Sequence, residues 1–234
     1  MSSGRGRQVR DTALIVVALS TLIGCSLTPA NKEHISGHAI QERRVDELVE
    51  KAAEYGKRGE LTEAVALLDE ALRINPQHAI AFTVRATAFR KLGDFQRAVE
   101  DATKAVEIDP RLAEAYCQRA FAYQQSELEH RVERALADAN KAIALDPTAA
   151  LSFIVRGNVE SELEEYSEAI ADFTKAIELN PRSYTAYGNR AHCYSALGNT
   201  AMARADINKA LALNPGNADE PALQELRKTL EKQP

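Results

Sequence analysis

In a chain of 234 residues with three cysteines, five histidines and no tryptophan, the candidates for chemistry can be taken one at a time. Cys117 and Cys193 stand far apart in the sequence, and His192 has no second imidazole near it. His34 and His38 are four residues apart, which on a helix would place two imidazoles on one face. A zinc site needs further ligands on a rigid frame, and Gly37 weakens a helix there, so the pair reads as part of a solvated segment. There is no G-x-S-x-G, no phosphate-cradling glycine loop and no Cys/His cluster at metal spacing. The expectation is no catalytic residue, no metal and no cofactor.

One charged constellation does recur. Arg85 goes with Asp101, Arg119 with Asp138, Arg156 with Asp172, and Arg190 with Asp206. The corresponding places further upstream hold Lys51 and Leu67, so both members are present or both are lost. Such co-occurrence suggests contact, because a guanidinium fork can hold a carboxylate through two hydrogen bonds. A neutralised arginine is a poor ligand trap, so these pairs read as structural ion pairs rather than as a basic ladder for an acidic ligand. A second column, Lys104, Lys141, Lys175 and Lys209, precedes a small residue each time and reads as a solvated face.

The elements that must position these residues repeat. In Ala150–Pro181, Phe153, Arg156, Gly157 and Glu160 recur at helical spacing, and after Glu164-Glu165 so do Ala169, Phe173 and Ala176. Both halves are amphipathic helices, small where they would meet, and Pro181 ends the second. Asn/Asp-Pro returns at Pro76, Pro110, Pro147, Pro181 and Pro215, in steps of 34, 37, 34 and 34 residues. Alanines stand five and twelve residues before each proline, Phe82, Tyr116, Phe153 and Tyr187 open first helices, and Gly59, Gly93 and Gly198 occupy turns. The pattern resembles the tetratricopeptide repeat family, over roughly Val45–Asn217.

That resemblance implies an all-α, right-handed solenoid of five helix pairs, at 45–78, 79–112, 113–149, 150–183 and 184–217. Residues 218–234, with Leu223, Leu226 and Leu230 on one stripe, read as a capping helix. Three departures are visible. The first repeat has Leu48 in place of an opening aromatic, and Glu160 stands where others have Tyr55, Phe89, Tyr123 and Tyr194. The third repeat carries three extra residues within Gln124–Glu133, which should lengthen a turn or a helix. Cys117 and Cys193 fall on first helices two repeats apart, too far for a bridge.

Residues 1–24 differ from the rest. Arg5, Arg7 and Arg10 precede the apolar run Thr12–Ile23, the order of a secretory signal. The run is too short to span a bilayer comfortably. It ends in Leu22-Ile23-Gly24-Cys25, which is similar to the lipobox of bacterial lipoproteins. The resemblance implies cleavage before Cys25, acylation of its thiol and new amine, and membrane attachment through those chains. Ser26 favours the outer membrane over the inner, so the expected location is the periplasmic face of a bacterial envelope. Residues 25–44 are polar, with Pro29 and Gly37, and read as a flexible tether. The formal charge of −5 argues against nucleic acid, whose phosphates need a basic footprint.

In tetratricopeptide arrays the first helices line a concave face that takes ligands. By that resemblance the groove here includes Thr83, Thr87, Cys117, Gln118, Phe121, Ile154, Asn158, Asn189 and His192. Val49, Thr83, Cys117 and Ile154 occupy places where a carboxylate clamp would want lysine, so an extended or helical segment with an apolar anchor fits better. The expected function is a non-catalytic, lipid-anchored scaffold that binds a protein or peptide segment, similar to the adaptors of murein hydrolases and proteases and to pilotins. The alternative is a small-molecule binder or carrier using the same groove. A second copy of the chain is a further candidate partner.

Overall fold

The computed structural model describes residues 29–214 together with Gln224 and Arg227, with side chains described from Ala39 onward. The leader 1–24, the acylation site Cys25 and the capping stripe of 218–234 lie outside these residues, Gln224 and Arg227 apart. The chain divides into two units, 1–47 and 48–234. Among the described residues there are ten helices and no strand.

Helix α1 spans Pro29–Arg58 and α2 Leu61–Ile74. Then come α3 (Ala79–Lys91), α4 (Phe95–Ile108), α5 (Ala113–Gln125), α6 (Arg131–Leu145), α7 (Ala150–Glu162), α8 (Tyr166–Leu179), α9 (Tyr184–Ala196) and α10 (Thr200–Leu213). The tether expected up to Arg44 is corrected here, since Pro29–Arg58 is one continuous helix. Pro29 is its first residue, where a missing N–H costs nothing. The Ala, Glu, Gln, Lys and Arg that follow are good helix formers, which outweigh Gly37.

Each odd helix from α3 packs on the even helix after it, and each even helix from α2 on the odd one that follows. Small residues allow the close approach. The alanines of the recurring columns, such as Ala98, Ala105, Ala169 and Ala176, are fully buried. The Asn/Asp-Pro element closes every second helix by two devices. Asn75, Asp109, Asp146 and Asn180 leave the helix in extended geometry, as a residue before proline must, while their N–H groups still reach the alanine carbonyl four residues back. Their Oδ1 atoms then accept from the N–H two residues on, at 2.9 Å in the first three and 3.2 Å at Asn180.

Three of the five turns inside the pairs close on a glycine, and two depart from that. Gly59, Gly93 and Gly198 take positive φ, and Glu164 takes the same conformation without glycine's freedom, at φ 62°. The extra residues of the third repeat lengthen its inner turn, which runs from Ser126 to His130. Ser126 bends it by donating to the Tyr123 carbonyl at 2.8 Å, and His130 closes it at φ 56°.

From α3 to α10 the first helices α3, α5, α7 and α9 meet one another in succession, whereas among the described residues the second helices do not. A stack whose one row is drawn together must curve toward that row. The faces of the odd helices therefore line the inside of the bend, and the lysine column lies on α4, α6, α8 and α10 in solvent.

Candidate partner-binding face

The recurring arginine of each first helix sits at the junction of two repeats. Arg85 donates from Nε and Nη2 to Asp101 at 2.7 and 2.8 Å, and Arg119 to Asp138 at 2.6 and 2.9 Å. Arg156 does the same to Asp172 at 2.6 and 2.7 Å, and Arg190 to Asp206 at 2.7 and 2.9 Å. The carboxylate belongs to the same repeat. The remaining Nη1 reaches back to the second helix of the preceding repeat, at Asp69 (2.6 Å), Thr103 (3.3 Å), Asn140 (2.8 Å) and Thr174 (2.9 Å). Sequence reading found the pair and missed this third acceptor, although it stands sixteen residues before each arginine.

The opening aromatic lies over the same guanidinium, with Phe82, Tyr116, Phe153 and Tyr187 at 5.5, 5.6, 5.8 and 5.7 Å from the arginine carbon. The hydrogen bonds to the carboxylates hold all four arginines above their ordinary pKa. With charge, donors and ring face all committed, these residues build the scaffold and leave no cation for a ligand.

The accessible inner face is narrower than the sequence suggested. Thr83, Cys117, Gln118 and Ile154 are only 3, 2, 3 and 6% exposed, which corrects their expected place in the groove. They lie on the right stripe but wedge between neighbouring helices. Thr83 donates to the Ala79 carbonyl at 2.9 Å. Cys117 packs with Ala120, Ala139 and Val155, and Ile154 with Phe173 and Ala186. Gln118 accepts from Arg90 Nε at 3.1 Å and donates to Glu114, tying α5 to α3. Burial raises the Cys117 thiol to about 12 and pushes Cys193 up as well, which disfavours the thiolate at both.

Thr87, Phe121, Asn158, Asn189 and His192 stay at least partly open. Phe121 carries the Arg90 guanidinium on its face at 4.1 Å, and burial lowers that arginine's pKa. Asn158, Asn189 and His192 line one pocket of 370 Å³ with Gln124, Ser161, Glu162 and the edge of Phe173. Asn189 Nδ2 donates to Asn158 Oδ1 at 2.6 Å, which fixes both side-chain amides. Gln124 Oε1 is buried and accepts no hydrogen bond from the protein. Arg131 holds Glu162 at the rim and donates to the Gln124 carbonyl at 3.0 Å. Arg90, Gln124 and Ser161 escaped sequence reading. Each stands three residues after an expected groove residue, one turn along the same face, and that spacing was the available signal.

Among the described residues, no group of three or more His, Cys, Asp or Glu could hold a metal ion. No helix described is long and apolar enough to cross a membrane.

A model of the tetratricopeptide repeat matches residues 49–113, and another of the same repeat matches 150–183 and 184–217. The chain belongs to the tetratricopeptide repeat family. No curated protein matches it. Among solved structures, TTC0263, a thermophilic tetratricopeptide protein of Thermus thermophilus, is 26% identical with a TM-score of 0.67, over 80% of this chain and 97% of that one. PilW, described as a widely conserved type IV pilus biogenesis factor, is 21% identical at a TM-score of 0.63, over 80% and 92%. YrrB, described as having an unusual peptide-binding site, is 20% identical at 0.55, over 82% and 97%. These likenesses carry the all-α tetratricopeptide solenoid to this chain.

Proposed function

We propose that this tetratricopeptide protein is a non-catalytic interaction scaffold of a bacterial cell envelope. It holds a segment of a partner protein along the inner faces of α5, α7 and α9, and acyl chains on Cys25 keep it at a membrane. The observation that carries the binding reading is the trough at Gln124, Asn158, Asn189 and His192. It is a polar recess whose Asn158 and Asn189 amides are held by one another and whose His192 is open to solvent, groups that suit the backbone of an extended peptide. The peptide-binding site named for YrrB and the pilus role named for PilW agree with it. The anchor and the periplasmic, outer-membrane location rest on Leu22-Ile23-Gly24-Cys25 and Ser26.

A photo-reactive phenylalanine analogue placed at His192 in the native cell should form a covalent adduct with one defined protein. The same group at Lys175, on a second helix, should not. Equal labelling from both places would remove the groove from the account. Mass analysis of the membrane-derived chain should find a first residue at Cys25 carrying acyl chains, and a chain still beginning at Met1 would remove the anchor.

A further inference from the structure

We propose that the repeat-one end of the inner face is a socket for one apolar side chain of a partner segment that carries an acidic residue beside it. The proposal rests on the reading of that face as the partner-binding surface and names the chemistry of its first contact. A pocket of 210 Å³ opens between Ala53 and Gly56 of α1 and Ala88 of α3, walled by Leu61 at the start of α2. Its walls are small and apolar where later repeats carry longer or polar side chains. At the places of Ala53 and Gly56, the later repeats carry Thr87 and Arg90, Phe121 and Gln124, Asn158 and Ser161, and His192 and Ser195. A Cβ at Gly56 would meet nothing within 4 Å. Glycine inside a helix is unfavourable relative to alanine, so α1 keeps a residue that weakens it and holds the space open.

The volume is worth roughly seven waters at about 30 Å³ each. It falls below the range of about 300 Å³ and upward that drug-sized ligands occupy. It suits a leucine or phenylalanine side chain, while the rest of the segment continues along the face. The rim is cationic in a chain of net charge −5. Lys57 and Lys91 line the mouth and are exposed, and Lys91 Nζ donates to the Gly56 carbonyl at 3.2 Å, which keeps that ammonium over the opening. A carboxylate next to the buried side chain would meet both.

The test pans a phage-displayed library of random dodecapeptides against the whole chain. It then measures the enriched peptides on wild type, on Gly56→Leu and on Lys57→Glu/Lys91→Glu. Gly56→Leu fills the socket with a better helix former and should fold, which a circular dichroism melt checks. The expected peptides share an apolar residue beside Asp or Glu and bind Gly56→Leu at least about tenfold more weakly. The lysine reversal should weaken them about tenfold at low salt, with the difference shrinking as salt is raised. Peptides without that pair, or peptides that bind Gly56→Leu as well as wild type, would overturn the socket and leave the groove reading standing. Enrichment of no peptide at all would overturn both. Decanoate that stabilises the wild type where no peptide does would overturn the assignment to a protein segment.

Discussion

Arg156 serves two repeats with one planar group. Its fork takes Asp172, its third arm takes Asn140, and Phe153 covers it. Removing one member leaves a buried charge without its partner, so Arg156→Ala or Asp172→Ala should each cost about 3–5 kcal/mol in urea unfolding. The double variant should cost clearly less than the two together, by up to about 3 kcal/mol of coupling. Additive losses would mean that the pair does not act as a unit. Beside it, Glu160 occupies the slot that holds Tyr55, Phe89, Tyr123 and Tyr194 elsewhere. Its Oε2 is buried without a hydrogen bond, and its Oε1 is 3.7 Å from an Arg156 nitrogen already bound to Asp172. Burial raises its pKa to about 7, helped by Asp172, Glu165 and Glu168 and opposed by Arg156. A folded pKa above the unfolded one gives stability that is present in acid and lost as pH rises through about 7. Wild type should therefore lose about 2 kcal/mol relative to Glu160→Gln between pH 5 and pH 8. A constant difference would place that carboxyl in solvent. The sequence marked Glu160 as a departure, but no pattern in it could supply the depth at which the carboxyl sits.

At the scale of the helix, the repeats solve one packing problem in two ways. Where α7 and α8 cross, Gly157 faces Phe173, and a Cβ on the glycine would stand 2.9 Å from the ring. The matching pairs are Ala86 with Ala102, Ala120 with Ala139, and Ala191 with Ile207. Bulk on one helix is matched by its absence on the other. Alanine gains about 1 kcal/mol of helix propensity over glycine, and overpacking costs about 1–3. Gly157→Ala should therefore lower the melting temperature modestly, and adding Phe173→Leu should recover most of the loss. A stabilised single variant would show that the ring moves aside freely. Helix positions were legible because the prolines, the Asn or Asp before each of them and the alanine columns act locally and leave a trace in every copy. The start of α1 was not. Pro29 and Gly37 read as loop punctuation when neither flanking helix partners nor caps are visible in the sequence.

At the scale of the whole stack, the fold was readable because each unit must bury its apolar faces on copies of itself, and only a fixed period does that. The inner face was read less well for the same reason. Thr83 and Thr87 stand one turn apart on one stripe, yet the first is wedged between helices and the second is partly open. A few degrees of helix rotation decide which, and periodicity does not set rotation that finely. The backward reach of each arginine gives the array a polarity that its near-identical units conceal. Deleting α9 and α10 takes away a donor from Thr174, whose hydroxyl still has the Ile170 carbonyl at 2.7 Å. Deleting α1 and α2 takes a charged partner, Asp69, from Arg85 and leaves that guanidinium arm to water. Shortening the chain from its tail should thus be tolerated slightly better than beheading it, by up to about 1 kcal/mol in unfolding titrations of the two deletions. A lineage that gains or sheds units would do so most cheaply at the far terminus.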